Sequence, residues 1–248
     1  MNNKARVARI RDTVLRILPV WMSLLALSAT PPAEAAREEG ACGRLVMVMP
    51  DLSGSFSAHL PAAVSEIRRL LLGLGPGDCF LARGISGDSF GVSNDIVQLE
   101  RLPMPRRTID AAHRTEIVLR KRRIVERLDG ILQLKPASRT DIWQSLYSAS
   151  VTLQNLSARQ RDLYLFTDLD DNRNLRPHGL PLRLDGVTAR LVVPRRNQDT
   201  FESFQARIKI WTERLIKAGA AVAFNELQAV PSNARPSTPS TRIRKGGN

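Results

Sequence analysis

Short continuous apolar runs alternate along this chain with apolar residues spaced three and four apart, and few folds accommodate both. Residues 45–49, 79–85, 163–166, 187–193 and 220–224 are brief apolar runs bounded by turn formers, the pattern of strands buried on both faces. After the first of them, Leu60, Val64, Ile67, Leu71 and Leu74 share one helical face, with Gly73 and Gly75 as a stop. A longer helical pattern over 108–134 carries Ile117, Ile124, Leu128 and Ile131, with Arg120, Lys121, Arg122 and Arg123 on its exposed side. Thr140 opens a third stripe of Ile142, Leu146, Ala149 and Leu153. Phe201, Phe204, Ile208, Trp211 and Leu215 make the last, with Asp199 or Thr200 to cap it and Gly219 to end it. Residues 84–105, rich in Gly, Ser, Asn and Asp, read as loop plus an edge strand at 96–99. Strands alternating with helices predict an α/β fold, a doubly wound, mostly parallel sheet flanked by helices.

The two ends differ from this middle. Residues 1–35 have a basic start, an apolar run over 17–29 and then Ala33-Glu34-Ala35, which reads as a secretory signal cleaved after Ala35. The alternative is an uncleaved membrane anchor, but the run falls short of the about 20 residues a spanning helix needs. Residues 36–230 are the expected domain, and 231–248, built of Pro, Ser, Thr, Arg and Lys without an apolar period, read as a disordered basic tail. Removing residues 1–35 takes away five basic and two acidic residues, leaving +10 of the formal +13 charge, so the positive bias belongs to the domain. An exported, periplasmic or secreted chain makes Cys42 and Cys79 a candidate disulfide; in a cytosol they would be two small buried hydrophobes. Two cysteines with no His nearby cannot complete a structural zinc site.

Three separated segments place oxygen-bearing side chains just past strand ends or at helix starts, where open parallel sheets bind ligands. They are Asp51-Leu52-Ser53-Gly54-Ser55, Ser138-Arg139-Thr140-Asp141, and Thr167-Asp168 at the end of the 163–166 run. Singly, each is an ordinary capping turn, helix start or loop residue. In this order and at these element ends they resemble the three-part metal-ion-dependent adhesion site of the von Willebrand factor A family, over roughly residues 45–224. The resemblance implies that Ser53 and Ser55 coordinate a divalent ion directly and that Thr140 does so directly or through water. It assigns Asp51 and Asp168 mainly to holding coordinating waters. Hard oxygen donors suit Mg²⁺, Mn²⁺ or Ca²⁺, and a Glu or Asp carboxylate from a protein partner would complete the shell. The family's sheet order also implies that Cys42 and Cys79, each preceding one of two neighbouring strands, form a disulfide.

The sequence departs from that family after Asp168, where Leu169-Asp170-Asp171 stands in place of a common glycine. The added carboxylates suit either a second ion or solvent. Other readings remain beside the adhesion module. Gly87-Asp88-Ser89-Phe90-Gly91 matches Gly-x-Ser-x-Gly, but no helical stripe follows as a nucleophile elbow requires, and neither His113 nor His178 sits in a context that marks a base. Metal-dependent hydrolysis at the adhesion-like site is the enzymatic alternative. The residues Arg120 to Arg123 and the basic tail suit an anionic envelope surface; aromatics at 5% disfavour a nucleic-acid stacking platform.

Overall fold

The computed structural model describes residues 41–88, 94–105, 111–171 and 181–228. The leader, the basic tail, His178 and the Ser89 and Gly91 of the Gly-x-Ser-x-Gly match lie outside them. The described residues form a six-stranded sheet in the order β3-β2-β1-β4-β5-β6, built from β1 (Cys42–Pro50), β2 (Cys79–Arg83), β3 (Asp95–Arg101), β4 (Ala158–Phe166), β5 (Val187–Val193) and β6 (Ala221–Glu226). Every pairing is parallel except β2 with β3, which runs antiparallel along the edge. The helices are α1 (Leu60–Leu72), α2 (Ala111–Gly130), α3 (Ile142–Asn155) and α4 (Phe201–Lys217). This is the doubly wound, mostly parallel α/β sheet that the alternating patterns predict.

Alternation along each strand sends side chains to two cores. On one face Met47, Met49, Leu163, Leu165 and Leu191 pack against Leu146 and Leu153 of α3 and Trp211 and Leu215 of α4. On the other, Val46, Val48, Phe80 and Phe166 pack against Val64, Ile67 and Leu71 of α1 and Ile124 and Leu128 of α2. Both faces of the central strands are therefore dry, which is why they read as unbroken apolar runs. Among the described residues, no helix is long and apolar enough to cross a membrane.

Several boundaries differ from the sequence pattern for local reasons. Strand β4 begins five residues before Leu163, because the buried Asp162 carboxylate is neutralised across the β1 ladder by Arg44 Nε at 2.6 Å and also accepts from Gln160 Nε2 at 2.7 Å. Strand β2 stops at Arg83 and not Ile85; Ile85 leaves the β2–β3 ladder to form a parallel bridge with Asp51. Phe201 is exposed while Phe204, Trp211 and Leu215 are buried, so the α4 stripe starts one turn late. Thr200 caps that helix by accepting the Ser203 N–H at 3.1 Å, and Gly219 ends it at φ +94°. Asp199, the other expected cap, instead accepts two hydrogen bonds from Arg207, which hold its carboxyl down at about 2.

The Arg120–Arg123 run is not a uniformly free face. Lys121 Nζ donates to the Leu72 and Leu74 carbonyls at 2.8 and 2.7 Å, capping the end of α1, and Arg120 Nη1 donates to the Arg101 carbonyl at 3.1 Å. The expected disulfide is present: Cys42 and Cys79 are bonded, with Cα atoms 5.6 Å apart.

Candidate metal centre

Strand order reverses between β1 and β4, and the three oxygen-bearing segments meet the carboxyl edge around that switch point, where α/β sheets bind ligands. Asp51 directly follows β1 and Asp168 lies two residues past β4. The Asp51 N–H donates to the Phe166 carbonyl at 2.8 Å, so the first and third segments remain laddered past the strand ends. The second segment is zipped to the first: Ser53 bridges Ala137, the Gly54 N–H donates to the Ala137 carbonyl at 3.1 Å, and the Ala137 N–H donates to the Leu52 carbonyl at 2.8 Å. The loop after β2 braces that segment from the other side, with the Asp141 N–H donating to the Ser86 carbonyl at 3.2 Å. Asp141 then caps α3 by accepting the Gln144 N–H at 2.9 Å, leaving Thr140 immediately before the cap.

The side chains form a short polar chain. Asp51 Oδ1 accepts the Ser53 N–H at 2.9 Å, and Oδ2 accepts the Thr167 hydroxyl at 2.7 Å. The Ser53 and Ser55 hydroxyls lie 3.1 Å apart. Asp168 Oδ1 accepts the Asp170 N–H at 3.0 Å. Asp51, Ser53, Thr140 and Asp168 are buried, whereas Ser55 faces solvent, so the cluster has one open side. Burial pushes the Asp51 carboxyl up to about 6, with the Asp168 charge adding to the push and the Ser53 and Thr167 hydrogen bonds opposing it. Two oxygens in this region, Thr140 Oγ1 and Asp168 Oδ2, are buried without a hydrogen-bond partner. Thr140 Oγ1 makes no hydrogen bond to the other four residues; its segment joins theirs through the Ala137 bridge.

That donor set fits a hard cation. Paired, mutually repelling carboxylates and orphaned hydroxyl and carboxylate oxygens each cost free energy when buried, and a divalent ion would offset both. Among the described residues no cluster of three or more His, Cys, Asp or Glu gathers, so such an ion would be held by hydroxyls and two carboxylates.

No family model matches this chain, and no curated protein does. Among solved structures it is similar to the pilus adhesin SpaC from Lactobacillus rhamnosus GG in its open conformation, at 15% identity over 70% of this chain and 27% of that one, TM-score 0.46. It is also similar to a von Willebrand factor type A structure from Catenulispora acidiphila, at 14% identity over 76% of this chain and 39% of that one, TM-score 0.44. The minor pilin PilB from Streptococcus sanguinis matches at 12% identity over 76% of this chain and 58% of that one, TM-score 0.41. This chain spans less than two thirds of each of those chains.

Four roles around the cluster were not visible in the sequence pattern. Thr167 stands in the third segment with no role assigned to it, yet its hydroxyl donates to Asp51 and accepts the Leu169 N–H at 3.1 Å. His59 lines a cleft of about 610 Å³ with Ser55, Asp170, Arg196 and Gln198. Arg196 comes from the loop after β5 and pairs with Asp170 at 2.9 Å, so that carboxylate is held by a side-chain cation and does not sit free in solvent. Leu169, where the resembled family commonly has glycine, is in the left-handed region at φ +61°. Its side chain is buried and its carbonyl accepts the Trp211 Nε1–H at 3.2 Å. Relieving the backbone would return about 1 kcal/mol, but a buried leucine is worth about 2 to 5 kcal/mol. Leu169→Gly is therefore expected to lower stability by about 2 kcal/mol net. Urea unfolding reads this directly, and a stabilised variant would show that backbone strain dominates.

Proposed function

We propose that this chain is an exported binding module of the von Willebrand factor A type. In this reading Asp51, Ser53, Ser55, Thr140 and Asp168 hold a divalent cation, Mg²⁺ or else Mn²⁺ or Ca²⁺, that captures a carboxylate of a protein partner. The observation that carries the reading is the pair of buried, unpartnered oxygens, Thr140 Oγ1 and Asp168 Oδ2, at the edge where Asp51 and Asp168 already repel one another. Such oxygens are costly in a metal-free protein and useful in a metal-bound one. Hydroxyl donors offset little of the ion's charge, which leaves it attractive to an outside carboxylate, and exposed Ser55 marks the side from which one would arrive. A Cys42–Cys79 disulfide suits the oxidising compartment that export would provide.

Calorimetric titration with Mg²⁺ or Mn²⁺ tests the assignment. Ser53→Ala with Ser55→Ala removes two hydroxyl donors from loop positions and should weaken metal affinity at least about tenfold while leaving the fold intact. Asp168→Ala should act in the same direction. Equal affinity in wild type and the double serine variant would sink the metal assignment.

A further inference from the structure

The opposite, amino edge of the sheet carries a second surface that the metal reading does not use. We propose that this edge docks on an anionic lipid bilayer, with the first turns of α2 as the contacting arm. Helix α2 begins at Ala111, and Arg120, on the Arg101 carbonyl at 3.1 Å, and Lys121, on the Leu72 and Leu74 carbonyls at 2.8 and 2.7 Å, tie its middle to the body. Its buried residues are Ile124 and Leu128. From Ala111 to Arg120, about 14 Å of helix, the residues are exposed or half-buried, His113 and Ile117 being among the half-buried ones.

What this arm presents is apolar and cationic together. Val118 and Leu119 are 63% and 52% exposed, and the same edge adds Leu72 at 67% and Met104 at 58%. Leu72 ends α1, and Met104 packs on Gly77 in the turn that leads into β2. Over residues 111–126 there are five cations, Arg114, Arg120, Lys121, Arg122 and Arg123, against two carboxylates, Glu116 and Glu126, which pair with Arg120 and Arg122 at 3.1 Å each. Arg122 and Arg123 follow Val118 and Leu119 by one helical turn, so each apolar side chain has a cation beside it on its own face. Aliphatic tips flanked by cations are what an interfacial helix lays into the headgroup region of an anionic membrane.

The carboxyl edge with Asp51 and Asp168 would then face away from the bilayer. A nucleic acid would use the cations but gain nothing from outward-facing Val118 and Leu119, and a second copy would bring its own positive arm against this one.

Sedimentation of the full chain with lipid vesicles tests the proposal. Vesicles of phosphatidylcholine mixed with phosphatidylglycerol should bind it at least about tenfold more tightly than phosphatidylcholine alone, since each cation near such a surface contributes about fivefold. Arg122→Gln with Arg123→Gln should lose about tenfold or more of that binding, and Val118→Ser with Leu119→Ser about fivefold or more, with unchanged unfolding midpoints. Equal binding of all three proteins to both kinds of vesicle would assign the interaction to the leader and overturn the proposal. So would no binding at all. A serine variant that binds like wild type, with a short DNA duplex competing equally well, would reduce the arm to a simple polycation and overturn it too.

Discussion

Breaking the Cys42–Cys79 bond is expected to cost the domain about 4 kcal/mol and to lower its melting temperature by roughly 10 °C. The two cysteines are 37 residues apart, and closing a loop of that length removes about this much conformational freedom from the unfolded chain. Little native strain offsets the gain, because the sheet already brings the two positions together. Leu45 is in register with Cys79, the Gly43 N–H donates to the Gly77 carbonyl at 3.0 Å, and the Arg44 N–H donates to Asp78 Oδ1 at 3.1 Å. Both cysteines are buried, so alanine replaces them better than serine, whose hydroxyl would need a partner. The measurement is urea unfolding of wild type, of reduced wild type, and of Cys42→Ala with Cys79→Ala. Reduction and double substitution should fall together. The bond lies at the amino edge, so Mg²⁺ affinity at the carboxyl edge should not change. A midpoint insensitive to reduction would mean that the β1–β2 ladder alone holds that corner.

What could be read from the sequence tracks how local the cause is. The central strands and the stripes on α1, α3 and α4 announce themselves because burial on one face or two leaves its period in neighbouring residues. Asp51, Ser53 and Ser55 were legible as a unit for the same reason, since one turn sets their relation. The misses are all long-range. Residue 162 looks like a strand breaker until Arg44 is placed opposite it, 118 residues away. Lys121 looks solvated until the end of α1 arrives beneath it. Thr167 has no role until Asp51, 116 residues earlier, accepts its hydrogen bond. The left-handed Leu169 contradicts its own residue type, and the groups that hold it there include Trp211, 42 residues on. Charge partners and strained backbone depend on the completed fold, and nearest-neighbour patterns cannot carry them.

Asp51→Asn is expected to stabilise the metal-free domain by about 2 to 3 kcal/mol at neutral pH and at the same time to abolish its response to Mg²⁺. The folded-state carboxyl titrates at about 6, above the ordinary value near 4 that the unfolded chain shows. A raised carboxyl pKa means that the folded state holds the proton more tightly than the unfolded state. Stability from this group is then full below about pH 4, declines as pH rises to about 6, and is flat above. Asparagine removes the buried charge while keeping the shape. Its carbonyl can still accept the Ser53 N–H, and its amide can donate to the Thr167 hydroxyl where the carboxylate had accepted from it. The decline between about pH 4 and 6 should vanish in the variant, leaving acid-range changes to groups such as Asp199, which titrates near 2. Mg²⁺ closes that gap in stability. A ligand at a hundred times its Kd adds about 2.7 kcal/mol to a protein that binds it and nothing to one that does not. Thermal unfolding at pH 7.5 with chelator and with excess Mg²⁺ reads both halves. If the variant is less stable than wild type in chelator, the buried charge is not costly; if both proteins gain equally from Mg²⁺, Asp51 has no part in holding the ion.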